Sequence, residues 1–374
     1  MREIEEKAAR TFGERFGETP KFIASAPGRV NLIGEYTDFN GGFVLPCAID
    51  RRVAVAVGPA PDGEGHLFSA DFDETRPASA DPDGTWADYP RGVVWAMSRN
   101  GAEVSPFRAT FVGDVPPGSG LSSSAAIEAA TALALDAMLG LGTSKKELAL
   151  LCQMAENDFV GVPSGIMDQY ASLLGEAGSA LLIDCRSLDH EHVPLDLEGA
   201  NLGLLVCDTR VERGLADTGY RDRRESCERA AHHLGVEDLR DADEEDLGRL
   251  SGDELKRARH VIRENARVLE SVQALREGDF EAFGRLMYES HLSLRDNFEV
   301  STSELDAFVE TAREAGALGA RLTGAGFGGC AIALVAETRS EALQKSARRR
   351  FERKGFKEPA FYELHPVAGA EVAG

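Results

Sequence analysis

Apolar residues in the first 115 positions fall into short runs separated by glycine, proline and aspartate. The segment RRVAVAV alternates, and Gly58–Pro59 ends it, so a strand is predicted here. Residues 1–16 and the segment YPRGVVWAMSRNG have the spacing of amphipathic helices. The other predicted strands in this part of the chain are KFIASAP, GFVLPCAID, HLFSADF and FRATFVGDV.

Helical spacing is more common in the rest of the chain. A helix is predicted to begin among the serines at 122–124, because serine is a good N-cap residue. From Tyr220 to about Gly316 nearly all positions follow a helical pattern with charged outer faces. The other predicted helices are SKKELALLCQMAENDF, SGIMDQYASLLGE and SEALQKSARRRFERKG. Strands are predicted in SALLIDCRS, LGLLVCDT, ARLTGAGFGGCAIALVAE and AFYELHPV.

The change to a mainly helical pattern lies between residues 196 and 220, and it predicts a domain boundary. A chain of 374 residues is also too long for one ordinary core. We therefore expect an α+β protein of two domains, with residues 1–197 in the first and residues 198–359 in the second.

The charge of the chain restricts its partners. Lysine and arginine number 41 against 63 acidic residues, a net charge of −22. Such a surface repels nucleic acid and anionic lipid, so neither is an expected partner. An anionic substrate would need local positive charge or a metal ion to offset this background.

The cysteines and the N-terminal segment bear on the compartment. The six cysteines are scattered, which is typical of reduced thiols. MREIEEKAAR lacks the apolar region of a secretory signal, and no apolar run approaches the length of a membrane span. The cytoplasm is the expected compartment; the oligomeric state is open, and a monomer is plausible.

A loop rich in glycine and serine, Pro116–Ala126, is a candidate anion site. It leads into a helix, whose first backbone N–H groups and dipole attract negative charge. Gly118 and Gly120 would let a phosphate approach the backbone, and the serine hydroxyls could bind a phosphate or a metal ion. The loop is not a Walker A sequence, and an ordinary serine-capped helix explains it equally well.

Two further glycine-containing stretches stand out. TGAGFGG at 323–329 matches the dinucleotide pattern G-x-G-x-x-G, but a strand-like segment follows it where a helix is required. It therefore predicts a turn between strands, or a loop packed against another backbone or a ligand. GRVNLIGEYTDFNGG at 28–42 is densely polar, and by itself it would be a turn between two strands.

Five stretches, in order along the chain, resemble a known family. APGRVNLIGEYTDFNGGFVLP closely resembles the galactokinase signature. PPGSGLSSSAAIEAA and LTGAGFGGCAIALV resemble the phosphate-loop and third motifs of the wider GHMP kinases. AENDFVGVPSGIMDQ and DTRVERGLADTGYRDRRESCE resemble segments particular to galactokinases. The resemblance runs from about Ala26 to the C-terminus.

The resemblance implies a fold and an activity. The family has an N-terminal domain like ribosomal S5 domain 2, a C-terminal GHMP domain and an active site in the cleft between them. Its final strand rejoins the N-terminal domain, so residues 360–374, including AFYELHPV, are expected to do so here. The implied reaction is ATP-dependent phosphorylation of the anomeric hydroxyl of galactose, which gives galactose 1-phosphate and ADP.

The resemblance also implies roles for individual residues. Asp168 matches the catalytic carboxylate that orients the sugar hydroxyl and accepts its proton, and Arg29 matches the active-site arginine. Glu156, with the hydroxyl of Ser123 or Ser124, matches the magnesium site. The matching sugar-binding positions are Glu35, Tyr36, Asp38, Gly165, Asp168 and Tyr220. The matching ATP-binding positions are Ser69, Trp86, Tyr89, Gly118, Ser119, Gly120, Leu121, Ser122, Ser123 and Ser124.

The signature departs from the family at two positions. Galactokinases usually read G-E-H-x-D-Y, whereas Tyr36 and Phe39 stand here for the histidine and the tyrosine. Because Tyr36 is bulkier than histidine and stays neutral, kinases of N-acetylgalactosamine, arabinose or a uronic acid remain alternatives. A sensor that binds sugar and ATP without catalysis is less favoured, because the serines, Glu156, Asp168 and Arg29 are intact. A plain nucleotide-binding or scaffold protein would leave the signature carboxylates unexplained.

Overall fold

The described residues fold into three sheets with helices packed on them. A computed structural model describes residues 1–116, 120–211 and 216–373, apart from the side chains of 216–218. The strands are β1 (Phe22–Asn31), β2 (Phe43–Val44), β3 (Pro46–Pro59), β4 (His66–Ser69), β5 (Glu74–Pro77), β6 (Phe107–Gly113), β7 (Ser179–Asp184), β8 (His190–Pro194), β9 (Leu202–Asp208), β10 (Gly319–Leu322), β11 (Cys330–Ala336), β12 (Ala360–Leu364) and β13 (Glu371–Val372).

Most helices lie where the spacing predicts them. The α-helices are α1 (Glu3–Phe16), α2 (Asp88–Arg99), α3 (Ser123–Leu139), α4 (Lys145–Met154), α5 (Met167–Leu174), α6 (Ala216–Leu234), α7 (Gly252–Glu277), α8 (Phe280–Ser293), α9 (Ser303–Glu314) and α10 (Glu337–Lys354). Single π-helical turns, Ala155–Val160 and Leu294–Phe298, extend α4 and α8. Short 3₁₀ turns lie at Asp38–Asn40, Leu239–Asp241 and Asp246–Arg249.

Strand β3 lies inside a six-stranded sheet of order β13-β1-β3-β6-β4-β5. In RRVAVAV, valine alternates with alanine, and both faces of the strand are buried. Ala54 and Ala56 pack against Ala8 and Phe12 of α1. The valines of β3 point the other way, into the largest core. The small residues let α1 approach closely, whereas the larger ones fill the core.

Strand β11 lies inside a four-stranded sheet of order β10-β11-β9-β12. Its apolar run is continuous because both of its faces are buried. Ile332 and Leu334 join the largest core, whereas Ala331, Ala333 and Val335 belong to a second cluster that contacts α6 and α9. The remaining sheet has the order β2-β7-β8.

The glycine-rich stretch at 323–329 joins β10 to β11, which are antiparallel neighbours. The prediction of a turn between strands is confirmed, because β11 follows where a dinucleotide-binding site would need a helix. The loop that opens α3 enters the helix at Ser122, the N-cap residue, as the serine pattern predicts.

The expected return of AFYELHPV to the N-terminal sheet is wrong for β12. Ala360–Leu364 pairs with β9 of the four-stranded sheet, because Phe361 packs on Phe308 in the second cluster. The chain then crosses to the six-stranded sheet, where Pro366 bridges Ile49 and β13 pairs with β1. The domain boundary near residue 197 stays a prediction.

Helix α8 crosses β10 at a point where two glycines meet. A Cβ atom added to Gly284 would overlap the Leu318 carbonyl oxygen, and one added to Gly319 would lie 2.6 Å from the Gly284 Cα. The distance between α8 and β10 is therefore set by contacts between backbone atoms. Backbone cannot move away as a flexible side chain could.

Replacing Gly284 by alanine should therefore destabilise the fold. We expect the free energy of unfolding to fall by about 1–3 kcal/mol through overpacking. Gly13→Ala is the matched control, because Gly13 is also inside a helix and its added Cβ would have only an ordinary 3.6 Å contact with the Glu18 carbonyl. That control should gain about 0.5–1 kcal/mol from helix propensity. Urea unfolding followed by circular dichroism measures both, and equal effects would contradict the packing argument.

Candidate active site

Strand β1 brings Arg29 to the loop that opens α3. A Cβ atom on Gly28 would overlap the Leu121 carbonyl oxygen, so only glycine lets the loop lie directly on the strand. The Arg29 backbone N–H donates to that same carbonyl at 3.0 Å. The loop and the strand are thus fixed to each other at Gly28 and at the backbone of Arg29 itself.

The Arg29 side chain forms a two-point ion pair with Asp168. Its Nε donates to Oδ1 and its Nη2 to Oδ2, each at 2.6 Å, and its Nη1 donates to the Gly120 carbonyl at 2.7 Å. The Ser122 hydroxyl donates to Oδ2 of Asp168 at 2.5 Å. Ser122 adopts a left-handed conformation, with φ of 60°. Three donors therefore fix the carboxylate, which lies in the first turn of α5.

Glu156 lies next to this pair, on the π-helical turn after α4. Its Oε2 accepts from the Ser164 hydroxyl at 2.8 Å and from Nε2 of Gln169 at 2.7 Å. Burial raises the pKa of Glu156, and the nearby charge of Asp168 raises it further. Ser164 and Gln169 thus fix one oxygen of the Glu156 carboxylate at the wall of the cavity.

Behind Glu156 lies a second carboxyl group that the sequence analysis missed. The amide of Gln169 also donates to Oε2 of Glu128 at 3.3 Å, and both residues are fully buried. Burial raises the pKa of Glu128 well above its usual range, and the charge of Glu156 adds to the effect. Gln169 thus lies between two acidic groups and donates a hydrogen bond to each of them.

The signature carboxylate Glu35 is almost fully buried, and its two oxygens already have partners. Arg321 forms a salt bridge with Oε2, and the Gly324 backbone N–H donates to Oε1 at 3.0 Å. Arg321 is fully removed from solvent. Glu264 of α7 supports the same loop, because it accepts from the Gly34 N–H at 3.0 Å.

Tyr36 is buried among aromatic rings. Its centroid lies 4.4 Å from that of Phe298 and 5.5 Å from that of Tyr220. Its phenol donates a hydrogen bond to the Ala325 carbonyl. With φ of 67°, Tyr36 is also one of the non-glycine residues in the left-handed region.

Asp38 packs directly against Gly165. A Cβ atom on Gly165 would overlap the Asp38 carboxylate, so a side chain at this position would displace that carboxylate. Burial raises the pKa of Asp38 to about 6; backbone hydrogen bonding lowers it, and the charge of Asp168 raises it. The ring of Phe39 packs edge-on against Tyr220, with the two ring centroids 5.6 Å apart.

These groups surround one cavity of about 560 Å³. It contains both the predicted phosphoryl-transfer residues and the predicted sugar-binding residues. The described residues that line it are Arg29, Glu35, Tyr36, Asp38, Tyr89, Gly120, Ser122, Ser123, Ser124, Glu156, Gly161, Val162, Pro163, Ser164, Gly165, Met167, Asp168, Tyr220, Arg221, Gly324 and Ala325.

Some predicted ATP-binding residues lie elsewhere. Ser69, Trp86 and Leu121 are not among the described residues that line the cavity. The indole of Trp86 donates to Glu74 at 3.0 Å and packs edge-on against Phe111. Ser69 is buried in β4. Gly118 and Ser119 lie outside the described residues.

Arg321 and Gln169 gave different signals in the sequence. Arg321 is a basic residue in a strand-like apolar segment, just before a glycine-rich loop, and that placement could have identified it. Gln169 gave no such signal, because a polar residue after Asp168 is ordinary at a helix start.

Within the described residues, no helix is both long enough and apolar enough to cross a membrane.

Comparison with known proteins gives three family matches. The galactokinase galactose-binding signature matches residues 10–59. The N-terminal domain of GHMP kinases matches residues 88–176, and the C-terminal domain of GHMP kinases matches residues 271–355.

Individual relatives match over nearly the whole chain. Galactokinase from Streptomyces coelicolor is 45% identical, over 98% of each chain. Galactokinase from Thermococcus kodakarensis is 42% identical, over 93% of this chain and 99% of its own length.

Solved structures agree with these matches. Lactococcus lactis galactokinase complexed with galactose superposes with a TM-score of 0.92 and 34% identity, over 97% of this chain and 98% of that one. Mevalonate kinase from Methanococcus jannaschii, 19% identical with a TM-score of 0.68, shares the fold. The α+β prediction and the GHMP kinase fold are thereby confirmed, and the chain belongs to the galactokinase family.

Proposed function

We propose that the chain catalyses ATP-dependent phosphorylation of the anomeric hydroxyl of galactose, which gives galactose 1-phosphate and ADP. The observation that carries this proposal is the single cavity in which Asp168, held by Arg29, lies with the serine loop and with Asp38. The galactokinase relatives support the choice of sugar.

Asp168 would orient the anomeric hydroxyl and accept its proton as the phosphoryl group transfers. The hydrogen bonds from Arg29 and Ser122 keep its carboxylate in one orientation, so little reorganisation is needed during the reaction. Arg29 would also stabilise negative charge on the transferring phosphoryl group.

The residues around Glu156 fit a magnesium ion bound together with ATP. Glu156, Ser123 and Ser124 all line the cavity, and the Ser124 hydroxyl forms a hydrogen bond with Glu156. Mg²⁺ prefers such oxygen ligands and takes the rest of its shell from water and phosphate oxygens. When bound, it would offset the phosphate charge, which matters in a chain of net charge −22.

The sugar would contact Asp38, Glu35 and Tyr220, whose oxygens can exchange hydrogen bonds with its hydroxyls. The alternative acceptors N-acetylgalactosamine, arabinose and a uronic acid rested on Tyr36. Its phenol donates to the Ala325 carbonyl, and the galactokinase relatives favour galactose over these sugars.

Other parts of the proposal concern the nucleotide and the setting. Tyr89 lines the cavity and would contact ATP, whereas an adenine contact by Ser69 and Trp86 remains a prediction. The small-molecule partners are the sugar and MgATP. Cytoplasmic location also remains a prediction, and the oligomeric state stays open.

A sugar panel in a coupled ADP-release assay tests the function. We expect the highest kcat/KM with galactose, and Asp168→Asn should lower kcat by about 10²–10⁴-fold through loss of the proton acceptor. Asp158→Asn is the matched control, because this carboxylate is exposed and does not line the cavity. Turnover of another sugar but not of galactose would overturn the substrate, and binding without turnover would favour a sensor.

The raised pKa of Asp38 predicts a pH dependence. Below about pH 6 its carboxylate is protonated and loses acceptor capacity, so kcat/KM for galactose should fall about tenfold per pH unit on the acid side. In Asp38→Asn this acid limb should disappear, while kcat/KM is low at every pH. The profile is measured from pH 5 to 8, and an unchanged limb in the variant would assign it to another group.

Glu156→Gln should raise the free Mg²⁺ concentration for half-maximal activity by about 10–100-fold, because a carboxylate ligand is lost. Glu128→Gln is the control. Gln169 lies between Glu128 and Glu156, and Glu128 does not line the cavity, so an amide of the same shape should change this concentration little. Mg²⁺-dependent thermal stabilisation with a non-hydrolysable ATP analogue gives a readout independent of turnover. Equal shifts in both variants would contradict the assignment.

A further inference from the structure

Two segments far apart in the sequence, the end of β1 with the loop after it and the end of β10 with the loop after it, are joined side by side at the cavity. We call this the loop seam; on one side it contains Asn31, Glu35 and Tyr36, and on the other side Arg321, Thr323, Gly324 and Ala325. The Thr323 hydroxyl bonds both to the Asn31 N–H and to its carbonyl, each at 3.0 Å. Arg321 also donates to the Asn31 carbonyl at 3.2 Å. Each bond spans about 290 residues of chain.

The second side of the loop seam has little rigidity of its own. Gly324, Gly326, Gly328 and Gly329 all have positive φ angles, so the backbone conformation depends on residues without side chains. Its far end is held by Val300, whose carbonyl accepts from the Phe327 N–H at 2.7 Å. Its near end, which lines the cavity, needs contacts from outside the loop.

The phenol of Tyr36 supplies such a contact at the part of the loop that lines the cavity. It donates to the Ala325 carbonyl, and the ring is held by Phe298 and Tyr220. Only 4% of Tyr36 is exposed, so the residue has little surface left for a ligand. Its left-handed backbone is the kind of strained conformation that persists only where surrounding contacts fix it.

We propose that Tyr36 is a positioning residue, which fixes the Gly324–Ala325 wall of the cavity and thereby sets the affinity for the sugar. Gly324 and Ala325 line the cavity together with Asp38 and Tyr220. A wall that is ordered before binding costs no conformational entropy when the sugar arrives. Phosphoryl transfer would depend on Arg29 and Asp168, which form their own ion pair and bond to Gly120 and Ser122.

This inference rests on the proposed function, and Tyr36→Phe tests it. The variant keeps the ring and removes only the phenol hydroxyl. We expect KM for galactose to rise about five-fold, the usual effect of one lost hydrogen bond, with kcat and KM for MgATP within two-fold of wild type. Hydrogen exchange in a peptide covering residues 321–329 should be faster in the variant without any ligand.

Tyr288→Phe is the matched control. The Tyr288 phenol also donates to an alanine carbonyl, that of Ala317, at 3.1 Å in a buried site, but Tyr288 does not line the cavity. The two variants should lose similar stability, and only Tyr36→Phe should change KM for galactose and loop exchange. Tyr36→His, whose shorter ring should not reach the carbonyl in the same way, should act in the same direction.

The outcomes separate this inference from the proposed function. An unchanged KM for galactose in Tyr36→Phe, with normal wild-type turnover, would overturn the positioning role alone. Equal changes in Tyr36→Phe and Tyr288→Phe would also overturn it, because the effect would then be general destabilisation. If wild type does not phosphorylate galactose, the proposed function fails, and the exchange rates still decide whether Tyr36 orders the loop.

Discussion

A buried arginine controls how the two large sheets meet. Arg321 is fully removed from solvent, and an unpaired charge there would cost several kcal/mol. Its salt bridge with Glu35 and its bond to the Asn31 carbonyl therefore tie β10 to the loop that follows β1. Glu264 lies 3.8 Å from the same guanidinium and binds the Gly34 N–H, so α7 is held to this loop as well. The position of Glu35, which is proposed to contact the sugar, depends on this buried set of charges.

Glycines complete the site where no side chain could fit. Gly28 brings the serine loop onto β1, and Gly165 makes room for the carboxylate of Asp38. The buried charges and these close contacts work together: the former fix the loops, and the latter set how near the reacting groups can lie. Two carboxylates with different surroundings result. Asp168 forms an ion pair with Arg29, whereas burial raises the pKa of Asp38.

The sequence predicted much of the fold, because periodicity and glycine positions are local signals. The alternation in β3 and the strand–loop–strand at 323–329 needed no knowledge of distant residues. The roles of Arg29 and Asp168 came from the family resemblance, since their pairing joins positions 139 residues apart. Glu264 was hidden on a charged helix, where a buried glutamate looks like an exposed one. The predicted partner of β12 was wrong, because the sequence of a strand does not by itself specify which strand lies beside it.

The crossing of residues 360–372 between sheets has a consequence during synthesis on the ribosome. Strand β1 has β3 on one side, and on the other side its only partner among the described strands is β13, so that edge stays open until residues near 371 have emerged. Arg52 likewise gains its contacts with the Ala368 and Gly369 carbonyls at that stage. An open edge strand can pair with other chains. The nascent protein therefore carries an exposed edge at β1 until β13 has been synthesised and joins the sheet.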